Sequence, residues 1–190
     1  ITLLDTARSG VWYTTGITLT ASMIQAPKTF RRATDITLER VEMPNAQETL
    51  WNCNDITLKQ VNAVGDYFAM NSENIHIEHF TLSGNYAFDG AKNIEISHAK
   101  LLSKDAFWNC ENVVVRDSTI IGEYLGWNSK NITFIDCIIE SNQGMCYMEN
   151  VKMENCLLIN TDLAFEYSTV DVQANGRIDS VKNPISGTIT

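Results

Sequence analysis

Hydrophobic and polar residues alternate in short stretches that recur at a nearly fixed interval along this chain. Each stretch begins with Asn or Asp, followed by an apolar residue, a variable residue and a second apolar residue. The motif starts at Asp35, Asp55, Asn74, Asn93, Asn112, Asn131 and Asn150. The first interval is 20 residues and the next five are 19. A fixed period with strand-like alternation in each unit indicates a solenoid, in which every repeat buries its apolar face against its neighbours.

Each repeat has room for three short strands separated by turn residues. The apolar pairs of one repeat are Ile94 and Ile96, then Ala99 and Leu101, then Ala106 and Trp108. Alternation at period two is typical of a strand with one buried face. The sequence therefore predicts an all-β protein, a parallel β-helix of about ten coils of about 19 residues with three short sheets.

The hand of the coil follows from the spacing of the inward pairs. The inward pairs are unequally spaced, and the sequence shows none of the small-residue hexads that are typical of left-handed β-helices. We therefore expect a right-handed helix, which is also the usual hand of parallel crossovers. The whole chain, 1–190, is expected to form one domain, with regular coils over about 17–172 and an irregular end over about 173–190.

The repeating Asn and Asp residues are expected to stack in a corner of the coil. Side chains of these types bond to the backbone of turns, and identical amides on successive strands bond to each other. We interpret the seven motif residues, from Asp35 to Asn150, as a structural ladder.

Charge and composition narrow the choice of partners and location. The formal charge of −9 argues against a nucleic-acid partner, because such proteins neutralise phosphates with Lys and Arg. No apolar run is long enough to span a bilayer, so no membrane segment is expected. The five cysteines are expected to be free buried thiols. These thiols and the lack of a visible signal peptide favour the cytoplasm.

All three histidines lie near one another in the predicted coil. Counting from the motif places His76 beside Glu95 and stacks His79, His98, Asp117 and Asp136 in one column. Imidazole and carboxylate groups at strand spacing can act as general acid and base, so the candidate catalytic residues are His98, Asp117, His79 and Glu95. The candidate ligands of a divalent cation are Asp117, Asp136 and His98, and no other cofactor is expected. A solvated surface is the alternative, because polar columns are ordinary on the outside of a β-helix.

A second candidate site lies on the third predicted sheet. If Trp108 and Trp127 point inward, the alternate positions point outward, and the predicted binding residues are Tyr86, Phe88, Asp105, Phe107, Glu123 and Tyr124. Exposed aromatic rings beside carboxylates can stack on a sugar chain and hydrogen-bond to it. The same assignment puts Asp89 inside, which indicates a change of register in that coil. The alternative is that these rings cover the core or line a subunit contact.

Several segments resemble an uncharacterised bacterial family of small right-handed β-helix proteins. The segments are Asp105-Ala-Phe-Trp108, Gly122-Glu-Tyr-Leu-Gly-Trp127, Asp162-Leu-Ala-Phe-Glu-Tyr167 and Arg177-Ile-Asp-Ser-Val-Lys-Asn-Pro184. The resemblance covers nearly all of the chain and implies the fold, within the pectate-lyase-like superfold. It implies no activity, because that family carries only a label of unknown function.

Enzymes of that superfold offer a comparison with little support in this chain. Asn160-Thr161-Asp162 and Arg177-Ile178-Asp179 echo the first and last motifs of polygalacturonase-like hydrolases, but no Asp-Asp or Gly-His-Gly lies between them. Pectate lyases have an acidic calcium-binding cluster and an Arg or Lys base. In this chain Asp117, Asp136 and Arg116 match that set only in part.

Three functions are compatible with these patterns. The leading hypothesis is a module that binds a polysaccharide or oligosaccharide on the aromatic strip. The second is a polysaccharide lyase or glycoside hydrolase that uses the histidine and carboxylate patch. The third is a scaffold that forms homo-oligomers through its uncapped ends, since open strand edges readily pair with another chain.

Overall fold

The structure, a computed structural model, describes residues 1–7 and 10–190 and is a right-handed parallel β-solenoid of about ten turns of about 19 residues. The strands of this part are β1 (Thr2–Leu3), β2 (Thr15–Ile24), β3 (Thr34–Met43), β4 (Asn54–Val64), β5 (Glu73–Ser83), β6 (Lys92–Leu102), β7 (Glu111–Arg116), β8 (Thr119–Ile121), β9 (Lys130–Ile135), β10 (Ile138–Asn142), β11 (Glu149–Asp162), β12 (Thr169–Ile178) and β13 (Ser186–Ile189). The predicted fold class and period are confirmed.

Successive coils lie directly on one another with parallel pairing throughout. One interior file contains Ile75, Ile94, Val113, Ile132 and Val151, each paired with the next and each buried. Each buried methylene contributes about 0.8 kcal/mol to the free energy of folding, so such continuous aliphatic files are the main source of stability. Residues 19 apart in sequence are therefore neighbours in space.

Long strands bend at a single residue in the left-handed backbone region. In β5 this residue is His79, with φ of 54°, and in β6 it is His98, with φ of 52°. Asp117, Asp136 and Asn155 continue the same corner with φ between 48° and 53°. Asn, Asp and His tolerate this region better than other non-glycine residues. The bend therefore favours these residue types without requiring them, because the same position of β2, β3 and β4 holds Ala21, Arg40 and Gln60.

The motif residues occupy a second left-handed corner and are linked by side-chain hydrogen bonds. The amide of Asn93 donates to the Asn74 oxygen at 3.1 Å, and that of Asn112 donates to the Asn93 oxygen at 3.0 Å. Asn131 and Asn150 extend the series at 3.0 and 2.8 Å. Asp35 and Asp55 share the corner, with φ of 57° and 55°, and Asp55 accepts from Asn74 at 3.0 Å. The structure therefore places all seven motif residues in one corner.

The third segment of each coil is a run of turns rather than the third sheet that the sequence predicted. In one coil, Tyr67, Ala69 and Asn71 all have positive φ, so every second residue is left-handed. This backbone breaks the period-two alternation of a strand, and the adjacent residues Phe68 and Ala69 both point into the core. The turns still hydrogen-bond from coil to coil, with the Tyr67 amide donating to the Asn85 carbonyl at 2.8 Å.

Buried hydroxyl and thiol groups hold these turns in place. Ser72 donates to the Leu50 carbonyl at 2.6 Å, and Cys110 donates to the Phe88 carbonyl at 2.9 Å. All five cysteines are free and buried, as predicted. Burial raises the pKa of the Cys53 thiol to about 11, so it stays protonated and can donate to the Phe30 carbonyl.

The last coil departs from the repeat, because Thr169 pairs with Ser186 rather than with a residue nineteen positions on. Within residues 1–7 and 10–190, no helix has the length and apolarity needed to cross a membrane.

Candidate functional site

The structure divides the first candidate site between separate grooves: His76 and Glu95 line one, and His79, His98 and Asp117 line another. His76 Nδ1 lies 3.5 Å from Glu95 Oε2. The rings of His79 and His98 stack with centroids 4.9 Å apart and planes 15° apart. Asp117 lines the same open groove as these two rings, and Asp136 follows on the next coil, where it accepts from Asn155 at 2.6 Å.

This histidine column has a structural explanation and lacks the convergence of a metal centre. His79, His98, Asp117 and Asp136 are corner residues with left-handed backbone, a conformation that His and Asp tolerate well. In the described part of the chain, no three His, Cys, Asp or Glu residues are grouped so that they could hold a metal ion. The predicted ligands Asp117, Asp136 and His98 therefore lie along a column rather than around a point.

The second candidate surface is a row of aromatic rings on the turn side of the coil. We call it the aromatic row, and it contains Trp51, Tyr67, Tyr86, Trp108, Tyr124, Trp127, Tyr147 and Tyr167. Neighbouring rings in contact have centroids between 4.7 and 6.4 Å apart. These distances are typical of stacked or edge-to-face aromatic pairs. The row runs along the solenoid axis across several coils.

The membership of this row corrects the predicted strip in two ways. Phe88 and Phe107, predicted to be exposed, are fully buried and stack on each other with centroids 5.8 Å apart. Trp108 and Trp127, predicted to point inward, are partly exposed on the row. Both errors come from treating the turn as a strand, because alternate left-handed residues put two adjacent side chains inside. The adjacent apolar pairs Ala87-Phe88 and Ala106-Phe107 were the signal for this arrangement.

A cavity of about 390 Å³ opens in the aromatic row between Tyr86 and Tyr124. We call it the Asp105 slot, and its lining residues are Tyr86, Lys104, Asp105, Trp108, Tyr124, Trp127 and Gln143. Of the predicted binding residues, Tyr86, Asp105 and Tyr124 meet there. Glu123 lies outside the slot, on the adjacent turn.

The slot exists because a carboxylate replaces a ring in the stack. Tyr67 and Tyr86, on adjacent coils, stack with centroids 4.9 Å apart and planes 8° apart. Asp105 occupies the equivalent position of the next coil, and Tyr124 follows on the coil after that. Two strand spacings separate Tyr86 from Tyr124 by about 9.6 Å. A ring bound midway would lie about 4.8 Å from each, within the range of aromatic contacts.

Asp105 forms the floor of the slot and is only 5% exposed. Burial raises the pKa of its carboxyl above the ordinary value. The Lys104 ammonium opposes this change in pKa, and the negative charges of Asp89 and Glu123 add to it. A buried carboxylate in this setting favours a ligand that supplies a donor or a positive charge.

Lys104 lies at the edge of the slot, where it contacts a ring and a carboxylate. Its ammonium is 3.9 Å from Glu123 Oε2 and 5.2 Å from the Tyr124 ring centroid. The Lys104 side chain is 44% exposed, so the ion pair is screened and weak. The face of Tyr124 thus already attracts a cation.

A family model of proteins of unknown function, DUF3737, matches residues 1–190. The chain belongs to the DUF3737 family. This membership agrees with the predicted resemblance and assigns no activity to the DUF3737 chain. The search of curated proteins found no match.

Two solved structures are similar to the DUF3737 chain, and both are trypsin-treated forms of QnrB1, a plasmid-mediated fluoroquinolone resistance protein. One has 14% identity and a TM-score of 0.44, covering 100% of this chain and 91% of that one. The other has 13% identity and a TM-score of 0.27, covering 81% and 92%. These values carry no argument about activity. The link to the pectate-lyase-like superfold stays a prediction.

Proposed function

We propose that the DUF3737 chain binds carbohydrate on its aromatic row, with the Asp105 slot as the central subsite. The observation that carries this proposal is the slot: tyrosine rings on two sides, tryptophan rings beside them, a carboxylate on the floor and the Gln143 side chain in the lining. Sugar rings have apolar faces bordered by hydroxyl groups. A concave aromatic site with a few polar groups fits that chemistry.

The row on either side of the slot supports binding of a chain rather than a single sugar. Tyr67 contacts both Trp51 and Tyr86 on one side, and Tyr147 contacts both Trp127 and Tyr167 on the other. An oligosaccharide lying along the solenoid axis would meet rings before, within and beyond the slot. We therefore expect affinity to rise with oligosaccharide length until the row is covered.

The test combines a glycan array with calorimetry of each bound glycan. We expect binding without release of products. Tyr124→Ala and Tyr86→Ala should each weaken binding roughly fivefold, since a lost aromatic contact is worth about 1 kcal/mol. His98→Ala is the matched control on the other surface and should bind like the unaltered protein. Circular dichroism of each variant verifies the fold.

Two other results would reject this proposal. Release of shortened glycans, abolished by His98→Ala or Asp117→Asn, would assign lyase or hydrolase activity to the histidine column. Concentration-dependent sedimentation, together with no binding to any glycan, would favour a self-associating scaffold.

A further inference from the structure

Asp105 is a buried carboxylate without a partner among the residues that the structure describes. Its carboxyl group accepts no side-chain or backbone hydrogen bond and lies in no ion pair. The neighbouring acids differ, because Asp89 accepts from Asn109 at 2.9 Å and Glu123 pairs with Lys104. An unpaired buried charge is costly unless a donor or a cation reaches it. The open side of Asp105 is the slot itself.

Another part of the same surface shows which group completes such a site. The guanidinium of Arg31 lies 4.5 Å from the Trp51 ring centroid and 5.4 Å from the Trp12 ring centroid. Glu48 pairs with this guanidinium at 2.6 Å. Lys28 Nζ also lies 3.4 Å from Glu48 Oε2, so the cluster is two rings, a carboxylate and two cations.

Glu48 and Asp105 occupy the same position of their coils. The Glu48 amide donates to the carbonyl of Asp66, just before Tyr67, and the Tyr67 amide donates just before Tyr86. The Tyr86 amide donates to Lys104, just before Asp105, so the column is continuous. The Asp105 slot therefore repeats the carboxylate of the Arg31 cluster and, at Trp108, the ring of Trp51. Asp89 occupies the position equivalent to Arg31, and no cation lies at ion-pair distance from the Asp105 carboxylate.

We propose that the Asp105 slot binds a sugar with a positively charged amino group, a hexosamine with a free amine. This rests on the proposed function and narrows its ligand class. The ammonium of the sugar pairs with Asp105 while the sugar faces stack on Tyr86 and Tyr124. An N-acetylated sugar has lost that charge. A uronic acid would place a further carboxylate beside Asp89, Asp105 and Glu123, which disfavours it.

The test compares oligosaccharides of equal length by calorimetry: a β-1,4-linked glucosamine oligomer, its N-acetylated form, a glucose oligomer and a uronic acid oligomer. We expect the free amine to bind at least tenfold more tightly than the other three. Asp105→Asn, which keeps the shape of the floor, should abolish this preference. Glu123→Gln is the control, because it also removes one negative charge but lies outside the slot. It reports the general electrostatic attraction of a cationic sugar, and we expect it to keep the preference for the free amine.

Different failures have different meanings. If the N-acetylated or neutral oligomer binds as tightly as the amine and still requires Tyr124, the amino-sugar inference is wrong while carbohydrate binding stands. If Asp105→Asn and Glu123→Gln reduce the preference equally, the attraction is general and the inference also fails. If the folded protein binds none of the four but binds another glycan on the array, the amino-sugar inference alone is wrong. If it binds no glycan at all, the proposed function fails as well. Binding of arginine methyl ester alone, without any sugar, would reject both.

Discussion

Single left-handed residues decide which side chains this solenoid displays. At the bend, the left-handed position is held by Ala21, Arg40 and Gln60 in β2, β3 and β4, and by His or Asp at His79, His98 and Asp117. His and Asp tolerate this conformation well, so these three residues have a structural reason to be there. On the turn side the same conformation occurs at Tyr86, Asp105 and Tyr124, with φ between 52° and 57°. Tyrosine is not favoured in this region, so Tyr86 and Tyr124 lack the backbone explanation that the histidine column has, whereas Asp105 shares it. This contrast favours the slot as the functional surface.

The raised pKa of Asp105 predicts a pH-dependent gain in stability for Asp105→Asn. The folded-state pKa lies above the unfolded value of about 3.9, so the native state binds more protons between these two values. Stability of the unaltered protein therefore falls as pH rises through that window. At pH 7 the variant should be more stable by about 1 kcal/mol, roughly 2–4 °C in Tm. Below the unfolded pKa the difference should disappear.

Thermal melts at pH 7 and near pH 3 measure this effect. Glu123→Gln, at a side chain that is 55% exposed, is the control and should change Tm little at either pH. A variant less stable than the unaltered protein at pH 7 would mean that the Asp105 charge has a stabilising partner. A gain in the stability of the protein when a charge is removed is typical of a residue that serves binding rather than folding.

At the scale of one coil, the Asn ladder combines a backbone requirement with side-chain hydrogen bonds. Asn112 has φ of 60°, donates to Asn93 and accepts from Asn131, both at 3.0 Å. The two contributions can be separated because Gly tolerates this φ whereas Ala does not. The ladder thus has two physical causes at each corner.

We predict that Asn112→Ala is about 1 kcal/mol less stable than Asn112→Gly, although Gly loses more entropy on folding. Both variants lose the two side-chain hydrogen bonds, so their difference reports the backbone term. Urea denaturation of the two proteins measures it. Equal stabilities would show that hydrogen bonding alone accounts for asparagine in this corner.

The elements that could be predicted from sequence are those in which side chains alternate. Ile94 and Ile96 of β6 follow period two, so strand, register and buried face were all predictable. The turn side was not, because left-handed residues at alternate positions bury Phe107 and expose part of Trp108. The 19-residue spacing still brought Tyr86, Asp105 and Tyr124 together on one surface. The extent to which Asp105 is buried could not be predicted, since it depends on the size of the surrounding rings.

At the scale of the whole molecule, each coil contacts only the coils before and after it. Strands β2, β3, β4, β5 and β6 pair in sequence order. Among these five strands, none contacts a strand beyond the adjacent coil. Stability of such an array is approximately a sum of coil and interface contributions. A local change should therefore have a local effect, and the slot can be altered without disturbing distant coils.

Substitutions in the buried phenylalanine column test this locality. Phe107→Leu reduces a fully buried ring in the slot-bearing coil and should cost about 1 kcal/mol. We predict that amide hydrogen exchange increases most in β6, β7 and the turns beside them, and little in β2 and β3. Phe30 lies between β2 and β3, at the position equivalent to Phe107 in a coil nearer the N-terminus, and is fully buried. Phe30→Leu should therefore give the opposite gradient. Equal increases across all strands in both variants would show that the solenoid opens as one cooperative unit. In that case a ligand in the Asp105 slot would stabilise every coil alike, rather than the coils that it touches.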